Sequence, residues 1–239
     1  MRLPAAVAAA VGVLLAGCGG SRYFAPDPAS KDGREVLDLW QLTFVTALAV
    51  GGIVYALIIF ALVRYRRRGD EIPDQRHEHI PLELVYTAIP VAIVAVLFGV
   101  NVLNEQRVSA LSDRPDLEVE VLGFQWQWQF TYLDEDITLT GVPNQPVELV
   151  LPVDQTIRLH LVAEDVIHSF WVPEFFEKRD LIPGVDNEID ITPTRQGTYT
   201  GRCAEFCGLD HWRMTFAVRV VSAAEFETWV AERADGGGG

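Results

Sequence analysis

The sequence predicts a two-helix transmembrane hairpin followed by an all-β sandwich or barrel with a short C-terminal helix, and three observations carry that reading. Two long apolar stretches, residues 39–63 and 81–103, lie close together in the first half of the chain. Beyond them the hydrophobic period changes to two, in short runs punctuated by Pro and Gly. All of the net charge lies there too: residues 105–239 hold 10 Lys and Arg against 24 Asp and Glu, which accounts for the whole −14. Such acidity argues against nucleic acid as a partner, because binding phosphates needs a basic surface. With 49% apolar residues among 239, the chain can bury a real core.

The N-terminus carries Arg2, an apolar run over residues 3–15, and then Leu15-Ala16-Gly17-Cys18 before a polar stretch. This is the layout of a secretory signal peptide over residues 1–17. It resembles a bacterial lipobox, which would make Cys18 the lipidated N-terminus of the mature chain; a plain signal peptide or an uncleaved anchor is the alternative. Residues 18–38 then form an exported segment. Residues 39–63 hold no charge and would span about 37 Å as a helix, against about 30 Å of bilayer hydrocarbon. Residues 81–103 form the second span, interrupted by Glu83 near its start and by Pro90, which a membrane helix tolerates. Arg64, Arg66, Arg67, Arg68 and Arg76 all fall between the spans. The positive-inside rule therefore puts the loop 64–80 in the cytoplasm and both chain ends outside.

Residues 104–222 read as the exported β domain. Residues 118–122 alternate, residues 124–132 are aromatic at every second position as one strand, and Ile157, Leu159 and Leu161 alternate with Arg158 and His160. Ser222 and Glu225 have capping-box spacing and open a C-terminal helix carrying Phe226, Trp229 and Val230 on one side, before a Gly tail that ends the 223–239 region.

The chemistry concentrates in Cys203-Ala204-Glu205-Phe206-Cys207-Gly208-Leu209-Asp210-His211-Trp212-Arg213-Met214, which gathers two thiols, an imidazole and a thioether in twelve residues. Soft sulfur with imidazole selects copper, and a weak axial Met suits electron transfer. Two Cys leave room for two thiolates bridging two metals, with His168 as the second imidazole. His160 is expected to face solvent, and His77 and His79 lie in the loop between the spans. A zinc site made of Cys203, Cys207, His211 and His168, a Cys203–Cys207 disulfide, or buried thiols remain as alternatives on these residues alone. No Cys-x-x-Cys-His haem signature occurs, so no haem is expected in this chain.

Over roughly residues 35–220 the chain resembles subunit II of the haem-copper cytochrome c oxidases, whose exported cupredoxin domain, a Greek-key sandwich or barrel, holds a binuclear CuA centre. The resemblance rests on the Cys203–Met214 pattern, on Asp165-Val166-Ile167-His168-Ser169-Phe170 and on Gly123-Phe124-Gln125-Trp126-Gln127-Trp128, where Phe124 and Gln127 depart from the common form. It implies that Cys203 and Cys207 bridge two coppers, that His168 and His211 each bind one, and that Met214 and the backbone carbonyl of Glu205 are further ligands. The Glu205 side chain would approach a magnesium shared with subunit I. Trp126 would be the point where electrons arrive from cytochrome c, and Glu83 the mouth of a proton path into subunit I. Asp134, Glu135 and Asp136 are expected to help steer a basic cytochrome. The implied setting is a bacterial cell membrane, with subunit I, other oxidase subunits, lipid and a soluble, tethered or supercomplexed cytochrome c as partners. A copper-free quinol oxidase subunit and a membrane-tethered copper carrier are the rival functions. The intact ligand set argues against the first, and the spans with Glu83 argue against the second.

Overall fold

In the computed structural model, residues 23–70, 72, 74–142 and 145–235 are described. The signal-peptide and Cys18 expectations, and the terminal Gly run, lie outside the described residues. The chain divides into a helical unit, residues 38–106, and a β unit that takes in Phe24–Leu37 together with the chain from Arg107 onward.

The helical unit holds most of α1 (Lys31–Arg64) and of α2 (Ile80–Val108). Both are long and apolar enough to cross a membrane. Their side chains are exposed through the apolar stretches, as expected for helices whose solvent is lipid or another helix rather than water. Helix α1 starts at Lys31, eight residues ahead of the uncharged stretch, because its first turns belong to the β unit. Pro90 lies inside α2 without ending it. At the start of α2 the His79 ring accepts the Leu82 N–H at 3.3 Å, and the Glu83 carboxylate accepts the His79 N–H at 2.8 Å. Glu83 thus satisfies a backbone donor just before the first helical turn, where acidic groups are favoured.

Among the described residues the β unit is a sandwich of ten strands: β1 (Leu117–Phe124), β2 (Gln127–Tyr132), β3 (Ile137–Thr140), β4 (Glu148–Pro152), β5 (Ile157–Ala163), β6 (His168–Val172), β7 (Glu177–Leu181), β8 (Asn187–Ile191), β9 (Gly197–Cys203) and β10 (Thr215–Val221). One sheet has the order β3-β2-β1-β5-β8, the other β4-β10-β9-β6-β7. The pairs β1/β5 and β4/β10 are parallel and the rest antiparallel. Strand β1 is buried at every second residue, so Val119 and Val121 face Phe216 and Val218 of the opposite sheet across a common core. At its centre Phe216 stacks on Phe170 at 4.9 Å and meets Trp128 at 5.1 Å and Phe130 at 5.5 Å edge-on. Each such pair adds about 0.5–1.5 kcal/mol beyond burial. Gly201 makes room for it, since a Cβ there would sit 2.1 Å from the Phe216 ring.

Helix α3 (Ala223–Asp235) closes the end of the sandwich where β2 finishes. The Glu225 N–H bonds Ser222 Oγ at 3.2 Å, as the capping spacing predicts, and Phe226 and Trp229 pack on Tyr132 at 6.1 and 5.0 Å. The segment Phe24–Leu37 is strapped to the same unit. Ala29 bonds Glu174 O and the Thr194 N–H, Lys31 bonds Thr192 O, and buried Ser30 donates its hydroxyl to Phe175 O.

Candidate metal centre

Four chain segments meet at the end of the sandwich opposite α3. Strand β9 ends at Cys203, a short loop carries Cys207, a 3-10 turn (His211–Arg213) presents His211, and Met214 immediately precedes β10. His168 is the first residue of β6, one strand away from Cys203. The loop is held to the sheet by its backbone: the Cys203 N–H bonds Met214 O at 2.9 Å and the Ala204 N–H bonds Ser169 O at 3.0 Å. From the other sheet, Gln125 Nε2 and Trp126 Nε1 both donate to Cys207 O, at 2.7 and 3.1 Å. Gly208, at φ +118°, permits that approach, for a Cβ would lie 3.1 Å from Gln125 Nε2 and 3.2 Å from Trp126 Nε1.

The donor atoms form two mirrored halves. Cys203 Sγ lies 3.9 Å from His168 Nδ1, and Cys207 Sγ lies 3.6 Å from His211 Nδ1. The sulfurs are 3.8 Å apart, Met214 Sδ is 3.7 Å from Cys207 Sγ, and Glu205 O is 3.2 Å from Cys203 Sγ. Both cysteines are free, so the disulfide alternative fails. A metal bonded to sulfur at about 2.3 Å and to nitrogen at about 2.0 Å, at a near-tetrahedral angle, spans S···S of about 3.8 Å and S···N of about 3.5 Å. The residues therefore fit metal binding in this pocket, and His168, Cys203 and Cys207 form a buried candidate cluster by distance alone. Two thiols and two imidazoles with a thioether 3.7 Å from Cys207 Sγ make a donor set suited to soft metal ions.

Electrostatics favour proton loss at Cys203 alone among the buried donors. Burial pushes the Cys203 thiol up, but its hydrogen bonds to His168 and to the backbone at Ser169 and Glu205 outweigh that and hold it below the usual thiol value. Cys207 is raised, by burial first and then by the charge on Cys203. Burial opposes the charged form of His168, yet its bonds to Cys203 and Asp165 leave its pKa raised. Asp165 Oδ1 takes His168 Nε2 at 2.9 Å, which leaves Nδ1 for the pocket and fixes the ring orientation. The Asp165 carboxyl is itself lowered, since its bonds to His168 and to the Gln125 and Val166 N–H groups exceed the cost of burial. Asp165, three residues before His168, was not among the expected site residues; an Asp-x-x-His spacing is the sequence signal for it.

Placement corrects one expectation. Trp126 is not in a strand: Phe124 pairs with Gln127, so exposed Gln125 and half-buried Trp126 form the two-residue turn between β1 and β2 at the mouth of the pocket. The acidic run Asp134, Glu135 and Asp136 occupies the turn after β2, at the α3 end. That is one strand length, about 20 Å, from Trp126. Glu135 is half-buried there, and burial followed by the Asp134 charge raises its carboxyl. A donor docked over Trp126 would not rest on this turn. His160 lies on the outer face of its sheet, half-buried between Glu118 at 2.7 Å and Glu188 at 3.0 Å. Trp128, by contrast, is fully buried. Glu205 keeps an exposed side chain, and the rim carries exposed Phe206, Leu209 and Trp212. Beside them a cleft of about 690 Å³ opens between Trp126, Trp212, Asp210 and Arg213.

Two apolar helices and a β sandwich with a thiol-imidazole-thioether pocket define a membrane-anchored, cupredoxin-like metal protein. Comparison with known proteins narrows this. A model of the cytochrome c oxidase subunit II transmembrane domain matches residues 21–103, and one of the subunit II periplasmic domain matches residues 141–221. A probable cytochrome c oxidase subunit 2 from Streptomyces avermitilis is 36% identical over 252 residues, covering 89% of this chain and 79% of that protein. The cytochrome c oxidase subunit 2 of Alkalihalophilus pseudofirmus is 33% identical over 228 residues, covering 91% and 64%. The crystal structure of the periplasmic domain of subunit II of cytochrome oxidase from Bradyrhizobium japonicum is 35% identical, covers 53% of this chain and 98% of that one, and aligns with a TM-score of 0.48. The chain belongs to the cytochrome c oxidase subunit II family.

Proposed function

We propose that this chain is the electron-accepting subunit of a proton-pumping cytochrome c oxidase. It receives single electrons from a cytochrome c at a binuclear CuA centre and passes them to haem in subunit I, where oxygen is reduced to water. The observation that carries the reading is the doubled half-site: two thiols 3.8 Å apart, each with its own imidazole nitrogen within 3.9 Å. Two copper ions, when bound, supply a one-electron store shared between equivalent halves.

The roles of the protein's residues follow from their places. Cys203 and Cys207 would bridge, His168 and His211 would each hold one copper, and Met214 and Glu205 O would cap the ends. Asp165 keeps His168 oriented, and anchoring by two sheets keeps the donor atoms still as charge changes, which is what fast electron exchange asks of a protein. Trp126 gives the donor a hydrogen-bonded contact to Cys207 O from the surface. The apolar rim of Phe206, Leu209 and Trp212 supports donor docking at this end rather than on residues 134–136. The exposed Glu205 carboxylate is free to meet a magnesium shared with subunit I.

In the same reading residues 1–17 are a signal peptide, Cys18 carries lipid, residues 18–38 and 104–222 are exported, the loop 64–80 is cytoplasmic, and residues 223–239 form the closing helix and tail. Glu83 opens a proton path, a role that must coexist with its bond to the His79 N–H.

Metal analysis of copper-supplied protein, with electron paramagnetic resonance, tests the centre: two coppers per chain and a spectrum shared over two equivalent copper nuclei are expected. One zinc and no copper would overturn it. Stopped-flow reduction of the assembled oxidase by cytochrome c, slowed in Trp126→Gln at unchanged copper content, tests the electron route.

A further inference from the structure

The cluster of arginines that follows α1 has a use the electron relay does not absorb. Between residues 39 and 63 the helix carries no charge, which is about 37 Å of apolar surface, so Arg64 emerges at the depth of lipid phosphates. Here Arg64 and Arg68 stand beside an open apolar patch on one helix face, made of Ala56, Ile59, Phe60 and Val63. These four lie at helical spacing along one stripe, about 10 Å long, and Ile59, Phe60 and Val63 are more than half exposed.

The arginines above the stripe are not equivalent. Arg67 is occupied: it pairs with Asp70 at 2.5 Å and donates Nε to Gly69 O at 3.0 Å. Arg64 lies over the Tyr65 ring at 5.4 Å, while Tyr65 meets Phe60 edge-on at 6.0 Å, so the guanidinium is steadied at the upper edge of the stripe. Neither Arg64 nor Arg68 has a carboxylate within salt-bridge distance among the described residues. Two guanidinium groups without a carboxylate partner, at headgroup depth beside an apolar stripe, match one kind of molecule from end to end: a phosphodiester for the forked donors and an acyl chain for the stripe.

We propose that Arg64 and Arg68 hold the phosphate of an anionic glycerophospholipid, whose acyl chain lies along Ala56, Ile59, Phe60 and Val63. The site requires only that α1 spans the membrane, and stands apart from the copper chemistry. A neutral lipid would use the same stripe but would gain less, because its own ammonium competes for the phosphate. Each basic residue beside an anionic headgroup contributes about fivefold in affinity, so the pair is worth about 30-fold.

The test uses the assembled oxidase, stripped of lipid in detergent, with photo-crosslinking phosphatidylglycerol and phosphatidylcholine of identical acyl chains. Phosphatidylglycerol should label residues 56–63 at least tenfold more strongly than phosphatidylcholine. The double variant Arg64→Gln, Arg68→Gln should bring its labelling down to the phosphatidylcholine level, while Arg76→Gln should not. Copper content and reduction by cytochrome c, measured on the same samples, report on folding and on the electron relay independently. Equal labelling by the two lipids, or labelling indifferent to the double variant, overturns the site. Displacement of the probe by millimolar glycerol phosphate would mean a simple anion site and also overturns it. No labelling in a complex with full copper and subunits would mean that another protein helix covers the stripe, and overturns the site as well.

Discussion

The two ends of the β unit solve opposite problems. At the α3 end, Tyr132, Phe226 and Trp229 close the core by aromatic packing, and the Tyr132 hydroxyl is satisfied twice by Val150, at 2.9 and 2.8 Å. At the other end the buried groups are two thiols, a thioether and an imidazole, all under 6% exposed, with their sulfur and nitrogen atoms turned toward one another at 3.7–3.9 Å. One end is built for burial and the other for ligands. The difference teaches where each kind of damage should appear: the α3 end governs whether the unit is folded, and the pocket end governs what it holds.

The largest effect expected from this division is at the shared sulfurs. Cys203→Ser or Cys207→Ser should abolish the copper pair while leaving a folded β unit, because each thiol contacts the other half-site as well as its own imidazole. Metal content and far-ultraviolet circular dichroism on the same sample check both halves of the statement. A serine variant that keeps two coppers would break the bridging assignment. At the other end, Trp229→Ala removes a side chain that is 5% exposed and stacked on Phe226, and should cost about 3–5 kcal/mol of unfolding free energy in denaturant titration. The copper spectrum of the fraction that remains folded should be that of the parent. A changed spectrum would mean that the two ends are coupled.

A smaller effect is expected one residue behind the ligands. Asp165→Asn keeps the shape but removes the charge that His168 leans on, and should weaken copper about 10- to 100-fold. Its pH dependence has a definite sign. His168 has a raised pKa in the metal-free pocket, so a proton competes with copper there, and affinity should fall about tenfold per pH unit once the ring is protonated. Without Asp165 the ring holds its proton less firmly, so the onset of that loss should move to lower pH even though affinity at high pH is reduced. Chelator competition between pH 5 and 8 on both proteins measures this. An onset that stays in place would remove Asp165 from control of the ring.

How much of this was legible in the sequence depends on how local each feature is. The cluster of thiols, imidazole and thioether was readable because Cys203, Cys207, His211 and Met214 lie within twelve residues, on a loop and a 3-10 turn. The two apolar spans and the Ser222 cap were readable for the same reason. Trp126 was misread as a strand residue because a two-residue hairpin turn has an even number of positions. The alternation Phe124, Trp126, Trp128 therefore runs through it unbroken. The position of the acidic turn after β2 was not readable, because a run of carboxylates does not say which end of its strand it caps. The strap formed by Phe24–Leu37 had no sequence signature at all, since it is made by hydrogen bonds to Glu174, Thr192 and Thr194, more than 140 positions away.

Met214 is where the two logics meet, and it gives the smallest and sharpest prediction. Its side chain is buried at 1% exposure like a core residue, yet its sulfur is 3.7 Å from Cys207 Sγ. Its carbonyl accepts from Cys203 N and Trp128 Nε1, so the backbone at this point ties the pocket to the aromatic core regardless of the side chain. Replacing it with leucine conserves volume and hydrophobicity, which in a core costs under about 1.5 kcal/mol, and leaves those backbone bonds in place. If burial alone explains Met214, Met214→Leu should leave stability, copper content and redox potential all close to the parent. If the thioether is a weak axial ligand, copper content should stay at two per chain and stability should change little, but the redox potential and the symmetry of the paramagnetic spectrum should shift, because a long axial bond tunes the metal without holding it. The second outcome is expected, on the ground that a methionine chosen only to fill space would not need its sulfur, rather than a methylene, at the pocket wall. An unchanged potential would assign Met214 to packing and move the border between the two ends one residue closer to Cys207.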